Sequence, residues 1–283
     1  MNPRYATLID AAALAALPPA RVLIVDCRCD LADADKGRRD YRSGHLPGAV
    51  HAELHGDLSD PSRAGQGLGR HPLPREEAFA ATLGRWGWQP DLQVVCYDDA
   101  GGAMAAARLW WLLLWAGVPA AVLDGGLAAW RAAGLPLETS VPERTPTCTT
   151  LHFDANRVVL DADELRRAPV ILDARAAPRF RGEVEPLDRV AGHVPGARNH
   201  PYTENLQPDG RFKPAQALRE AFLPLLGGHP PQSVVHMCGS GVTACHNVLA
   251  MEHAGLSGSR LYAPSWSGWV SDPSRPVARG ADA

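Results

Sequence analysis

Short unbroken apolar runs alternate along this chain with longer stretches in which apolar residues recur every three or four positions. Val22-Leu23-Ile24-Val25, Val94-Val95-Cys96-Tyr97, Val170-Ile171-Leu172 and Ser233-Val234-Val235-His236 are the clearest runs. Rich in β-branched residues and uninterrupted by charge, they read as strands buried on both faces, as in a parallel sheet. The pattern predicts strands near 22–25, 49–52, 94–97 and 121–123, and again near 170–172, 197–199, 233–236 and 260–261. Helices are expected over 75–83 and 103–115, over 214–222 and 244–254, and as a short segment over 11–17. Strands alternating with helices in this way belong to the α/β class, with a mostly parallel sheet flanked by helices.

The same landmarks occur twice. Gly44-His45-Leu46-Pro47-Gly48-Ala49 returns 148 residues later as Gly192-His193-Val194-Pro195-Gly196-Ala197. Val22-Leu23-Ile24-Val25-Asp26-Cys27-Arg28 returns as Pro169-Val170-Ile171-Leu172-Asp173-Ala174-Arg175. Val94-Val95-Cys96-Tyr97-Asp98 aligns with Val234-Val235-His236-Met237-Cys238, now at an offset of 140. Gly125-Gly126-Leu127-Ala128-Ala129-Trp130 aligns with Pro264-Ser265-Trp266-Ser267-Gly268-Trp269. A period this long means domain duplication rather than a solenoid. Two homologous domains are expected, 1–140 and 151–283, joined by a linker at 141–150 that carries Pro142, Pro146 and several threonines. Gly-His-x-Pro-Gly-Ala is turn chemistry before a strand, and for His193 the expected task is to fix that turn.

The chemistry concentrates in one place. Cys238-Gly239-Ser240-Gly241-Val242-Thr243 follows a predicted strand and opens a predicted helix. Glycines let such a loop curl so that backbone N–H groups face the sulfur, and the positive end of the helix adds to their field. Both effects favour thiolate over thiol, which makes Cys238 a candidate nucleophile. The first copy has Asp98 at the matching position, in a loop about two residues longer that lacks the Cys-Gly-x-Gly order. Thiolate chemistry cannot run there, so the first domain is expected to serve as a scaffold that walls a site.

Composition narrows the partners. A length of 283 residues fits two domains, and 46% apolar with 21% charged residues is ordinary for a globular chain. The net charge is −3, and the positive charge is nearly all arginine (Lys36 and Lys213 are the only lysines), scattered rather than clustered. That gives no footprint for nucleic acid. Six cysteines are too few for a disulfide scaffold at this length, and Cys27-Arg28-Cys29 has no spacing suited to zinc. The apolar run at 11–17 follows Asp10 and makes a poor signal peptide, and no run approaches a membrane span. A reduced, cytoplasmic protein without metal or organic cofactor is expected.

The chain resembles the tandem-domain sulfurtransferases of the rhodanese superfamily, and within them the 3-mercaptopyruvate sulfurtransferases. The resemblance spans both domains. It rests on Asp173-Ala174-Arg175, Arg179-Phe180-Arg181-Gly182, the two Gly-His-x-Pro-Gly-Ala turns, Asp124-Gly125-Gly126-Leu127 with Trp130, and above all the Cys238 loop. It implies two rhodanese-like domains and covalent catalysis, in which Cys238 takes a sulfur from a small donor and passes it as a persulfide to a thiol or cyanide, thioredoxin being one candidate thiol. Gly239, Gly241, Val242 and Thr243 would cradle the donor with backbone N–H groups, and Arg179 would grip its carboxylate. Ser240 would bond the keto oxygen or relay a proton, with His45 extending the relay and Asp35 orienting it. The thiosulfate-preferring branch carries two cations after the Cys, where this chain has Gly239 and Ser240. A neutral loop suits a monoanionic α-keto acid, and thiosulfate is the alternative donor. The chain departs from the family where a second carboxylate-binding arginine usually follows Glu-Pro, because Glu185-Pro186 leads to Leu187. Arg189 is expected to fill that role from a shifted register. The turn Tyr262-Ala263-Pro264-Ser265-Trp266 also loses a Gly and an acid relative to the family.

Two readings from other classes compete. A cysteine phosphatase also sets a Cys loop before a helix, but it needs an arginine to close the loop, and Ala244 stands there. A non-catalytic binding module on the same fold would not need the intact Cys238 loop. Cys245, two helical turns beyond Cys238, is expected to pack in the helix rather than act as a second thiol.

Overall fold

The computed structural model describes residues 5–281. It falls into two compact units. The first comprises Met1–Asp60, Pro74–Asp154 and Pro208–Phe212; the second comprises Pro61–Leu73, Ala155–Gln207 and Lys213–Ala283.

The first unit holds strands β1 (Leu8–Ile9), β2 (Val22–Asp26), β3 (Val50–His51), β4 (Gln93–Tyr97) and β5 (Ala120–Leu123). Its helices are α1 (Ala11–Ala15), α2 (Lys36–Ser43), α3 (Glu76–Arg85), α4 (Ala106–Trp115) and α5 (Gly126–Ala132). The second unit repeats the series with β6 (Val158–Val159), β7 (Val170–Asp173), β8 (Ala197–Asn199), β9 (Val234–Met237) and β10 (Arg260–Tyr262). Its helices are α6 (Ala162–Arg166), α7 (Ala177–Phe180), α8 (Ala215–Leu226), α9 (Ala244–His253) and α10 (Ser265–Trp269). Both sheets are parallel, with orders β1-β5-β4-β2-β3 and β6-β10-β9-β7-β8.

The unbroken apolar runs are the middle strands, and every residue of β2, β4, β7 and β9 is buried. Two-residue edge strands β1 and β6 escape the pattern because so short a pairing needs no run of its own. Helix α2, with the sequence Lys-Gly-Arg-Arg-Asp-Tyr-Arg-Ser, also escapes it, since only Gly37 and Tyr41 are buried on a polar surface helix. Among the described residues no helix is long and apolar enough to cross a membrane.

The duplication extends to side-chain geometry. At the end of β2, Arg28 Nε lies 3.1 and 3.0 Å from the two carboxylate oxygens of Asp26; at the end of β7, Arg175 Nε lies 3.1 and 3.0 Å from those of Asp173. Each arginine then donates to the carbonyl of the glycine that opens the Gly-His turn, Gly44 or Gly192, at 2.8 Å. These buried pairs lock the strand ends to the turns, with bidentate geometry offsetting the desolvation of both charges. Residues 141–150, expected as a linker, lie along the first unit. Arg144 donates to the Gly48 carbonyl at 2.7 Å and Thr147 Oγ1 to the Trp88 carbonyl at 2.7 Å.

Candidate active site

Parallel sheets offer ligands a place at the carboxyl ends of their middle strands, because the crossover loops gather there. In the second unit that strand is β9, and the residue that follows it is Cys238. Its side chain is 1% exposed. The loop from 238 to 243 hands the chain to α9. Gly241 N–H donates to Cys238 Sγ at 3.2 Å. Only glycine fits here: φ is +78°, and a Cβ would stand 2.4 Å from the Ala263 carbonyl oxygen. The outer side of the loop is pinned by the turn into α10. Trp266 N–H donates to the Cys238 carbonyl and Ser267 N–H to that of Gly239, both at 2.9 Å, while Cys238 N–H donates to Ser265 Oγ at 3.2 Å. Ser265 adopts φ +52°, as Gly126 does at +55° in the first copy, so the altered turn keeps its backbone shape. Val242 is buried and Thr243 half-buried at the start of α9. Cys245 is buried, with its thiol on the Gly241 carbonyl at 3.4 Å.

Ser240 Oγ lies 2.9 Å from Nδ1 of His71, and both residues are buried. A hydroxyl against an imidazole, two residues along the loop from the cysteine, can hold or pass one proton. His71 was not among the residues expected from sequence. It sits in Pro61–Leu73, which belongs to this unit although it precedes α3 in the chain. One signal pointed there. The repeat offset falls from 148 to 140 between the Gly-His turn and the middle strand, so the first copy carries extra residues in that interval.

His45, expected to extend a proton relay, stands in the Gly-His turn of the first unit. It is fully buried in the first unit, stacked on Tyr41 at 3.9 Å, with Nδ1 2.7 Å from the Tyr41 carbonyl and Nε2 3.1 Å from that of Ser140. Both ring nitrogens contact backbone carbonyls around the turn. Asp35 is exposed at the start of α2 and makes no side-chain cap there. His193 matches its turn-fixing expectation in geometry, with Nδ1 on the Phe180 carbonyl at 2.8 Å and its ring stacked on Phe180 at 3.8 Å.

The cations are arranged differently from expectation. Arg179, on α7, lies beside Gly239: a Cβ there would be 3.4 Å from both Nη atoms. Arg189 instead turns to the C-terminal segment, its Nε and Nη2 donating to the Val270 carbonyl at 3.0 and 2.6 Å. Leu187 is 49% exposed. Glu185 explains the local register. It accepts from the N–H groups of Leu187 and Asp188 at 3.1 and 3.2 Å, and from Arg179 Nη2 at 2.6 Å. Burial alone would raise Glu185, yet these donors hold it below the usual carboxylate range. From the Pro61–Leu73 segment Arg70 arrives on the same glycine, its Nη2 3.2 Å from where a Gly239 Cβ would be, and pairs with Asp188. The loop is neutral, but its surroundings are not.

The rhodanese-like domain family matches residues 10–133 and 159–272. A Pseudomonas aeruginosa protein, provisionally named a 3-mercaptopyruvate sulfurtransferase, is 50% identical over 97% of this chain and 99% of its own. A Mycobacterium tuberculosis protein, provisionally named a thiosulfate sulfurtransferase, is 44% identical over 99% of both. Among solved structures, 3-mercaptopyruvate sulfurtransferase from Leishmania major superposes with a TM-score of 0.82 at 36% identity, covering 93% of this chain and 73% of that one.

Proposed function

The chain belongs to the rhodanese-like family, and from that premise we propose that it is a sulfurtransferase using 3-mercaptopyruvate as donor and Cys238 as carrier. The observation that carries the reading is the environment of one atom. Cys238 Sγ rests on the Gly241 N–H at the end of the middle strand, with a proton-passing pair, Ser240 and His71, in the same loop region and Arg179 beside Gly239.

In the first half-reaction the Cys238 thiolate attacks the donor sulfur. A sulfur–sulfur bond forms, the bond from that sulfur to C3 of the donor breaks, and its electron pair passes to C3 as the enolate of pyruvate. Protonation at C3, supplied through the Ser240–His71 pair, releases pyruvate. The Gly241 N–H stabilises the Cys238 thiolate, the N–H groups of Gly239, Val242 and Thr243 complete the cradle for the donor, and Arg179 holds the carboxylate. In the second half-reaction an acceptor thiolate or cyanide attacks the outer sulfur and returns Cys238 as thiolate, a ping-pong sequence. A reduced thiol acceptor, thioredoxin among the candidates, and a cytoplasmic setting fit this chemistry. Thiosulfate remains the second reading because two guanidinium groups, not one, reach Gly239.

Intact mass spectrometry after a single turnover tests both. A gain of about 32 Da, one sulfur atom, is expected from 3-mercaptopyruvate and is lost in Cys238→Ser. Labelling by thiosulfate alone moves the protein to the second reading, and labelling by neither donor ends the sulfurtransferase reading.

A further inference from the structure

The two units differ around one tryptophan. Trp130 on α5 and Trp269 on α10 hold equivalent places, and each indole N–H donates to the carbonyl of a following proline, Pro136 at 2.8 Å and Pro276 at 3.0 Å. The residue before that proline is Leu135 in the first unit and Arg275 in the second. Arg275 lies over the Trp269 ring, 5.7 Å from its centroid, and is fastened there by the carbonyls of Gly268 and Trp269 at 2.9 and 3.3 Å. The second unit thus covers its tryptophan from within the chain. Among the described residues Trp130 carries no such cation.

The first unit has instead a cavity of about 480 Å³ lined by Trp130. Its other apolar walls are Leu14 of α1, Leu17 just beyond that helix, Val22 and Ile24 of β2, and Leu135. Small-ligand pockets have this size and character, apolar with a few placed polar groups. The charged groups here are Arg144 and Glu143. Arg144 Nη2 donates to the Gly48 carbonyl at 2.7 Å, and Pro47 and Gly48 also line the cavity, so the guanidinium is fixed at that end. Its Nε is buried with no hydrogen-bond partner. Glu138, the other charge near Gly48, turns its carboxylate to the Gly48 N–H at 2.7 Å, and among the described residues Arg144 has no ion-pair partner. A buried charged donor without an acceptor is costly, and an acceptor brought by a ligand would relieve that cost.

We propose that this cavity binds a small amphipathic carboxylate, a medium-chain alkanoate, with its hydrocarbon chain against Trp130 and the walls from α1 and β2 and its carboxylate on Arg144. Each methylene moved from water to these walls favours binding, and the charge-assisted bond to the guanidinium selects an acid over an alcohol of the same length. Glu143 is exposed on the rim, where water and salt screen its charge from the bound anion. The site lies wholly in the first unit and is independent of which sulfur donor Cys238 accepts.

The test is calorimetric titration of the full chain with decanoate, with the Trp130 indole N–H resonance followed by NMR and assigned with Trp130→Phe. Saturable binding that shifts this resonance is expected, with hexanoate and decanol both weaker than decanoate. Arg144→Gln is expected to weaken decanoate about tenfold or more. Ala15, exposed on α1 and also lining the cavity, allows a second variant. Ala15→Trp fills the space while keeping the arginine, is expected to weaken binding by a similar factor, and carries the test if Arg144→Gln fails to fold. No heat and no shift of the Trp130 resonance at millimolar decanoate overturns the proposal. So does binding that either variant leaves unchanged, or decanol binding as tightly as decanoate.

Discussion

Each unit ends its middle strand in a loop that curls around one atom group, and the two loops solve the same electrostatic problem in opposite ways. In the first unit the group is the Asp98 carboxylate. It accepts from the N–H groups of Ala100 and Gly102 through Oδ1, at 2.9 and 2.8 Å, and from those of Met104 and Ala106 through Oδ2, at 2.9 and 3.2 Å. In the second unit the group is the Cys238 sulfur, with the Gly241 N–H at 3.2 Å. The frames agree: Leu127 N–H donates to the Asp98 carbonyl and Trp266 N–H to the Cys238 carbonyl, both at 2.9 Å. A loop of convergent N–H groups is an anion site. The first copy fills that site with its own side chain. The second leaves it to a sulfur that can bond to something from outside. Loss of activity in a duplicated domain is therefore not loss of structure here, because the carboxylate takes over the N–H groups that a substrate would otherwise meet.

The largest effect follows from that substitution of roles. Asp98→Ala leaves four N–H groups, two of them buried, without their acceptor, and a cost of about 3 kcal/mol or more is expected in denaturant unfolding. Cys238→Ala, which removes one weak acceptor in the matching loop, is expected to cost about 1 kcal/mol. Equal costs at the two positions would mean that the first loop is held by its backbone alone.

Much of this frame is legible in the sequence because it is repeated there. The parallel sheets follow from unbroken runs such as Val22-Leu23-Ile24-Val25, and the emptiness of the first loop follows from Asp98 standing opposite Cys238. What the sequence hides is anything carried by a residue whose neighbours lie far away along the chain. His71 meets Ser240 across 169 positions and Arg70 meets Asp188 across 118, and no periodicity reports such pairs. His45 is the converse case: its Gly-His-x-Pro-Gly-Ala setting signals a turn, and both its ring nitrogens contact backbone carbonyls there. Arg189 turns to Val270 in a loop whose register depends on where the backbone caps fall, and Glu185 takes the N–H groups of Leu187 and Asp188.

The two kinds of histidine can be separated by rate. Ser240→Ala and His71→Gln are each expected to lower kcat with 3-mercaptopyruvate about 100-fold, and the double variant no further, since one proton path is cut once. His45→Gln, in the turn of the first unit, is expected to lower the unfolding temperature while leaving kcat within about twofold. A fall in kcat confined to His45→Gln would restore the relay through the first unit and remove His71 from it.

The smallest expected effect concerns the strands just before the loops. The second unit has His236 where the first has Cys96, both fully buried. His236 Nε2 faces Met251 sulfur at 3.2 Å, and its Nδ1 has no hydrogen-bond partner. Burial, with nearby His200 adding, holds its pKa down at about 3, whereas in the unfolded chain the imidazole titrates near about 6.5. Between those limits the unfolded state binds a proton that the folded state refuses. The contribution of His236 is thus fully present above about pH 6.5 and declines as pH falls toward 3, by up to about 1.4 kcal/mol per pH unit. His51 and His200, also lowered by burial, steepen the same decline. His236→Cys, which writes the first copy's residue into the second, is expected to flatten the slope of unfolding free energy against pH by about one proton between pH 4 and 6. An unchanged slope would show that His236 takes up its proton in the folded protein, and that the strand before the nucleophile is open to water where its counterpart in the first unit is not.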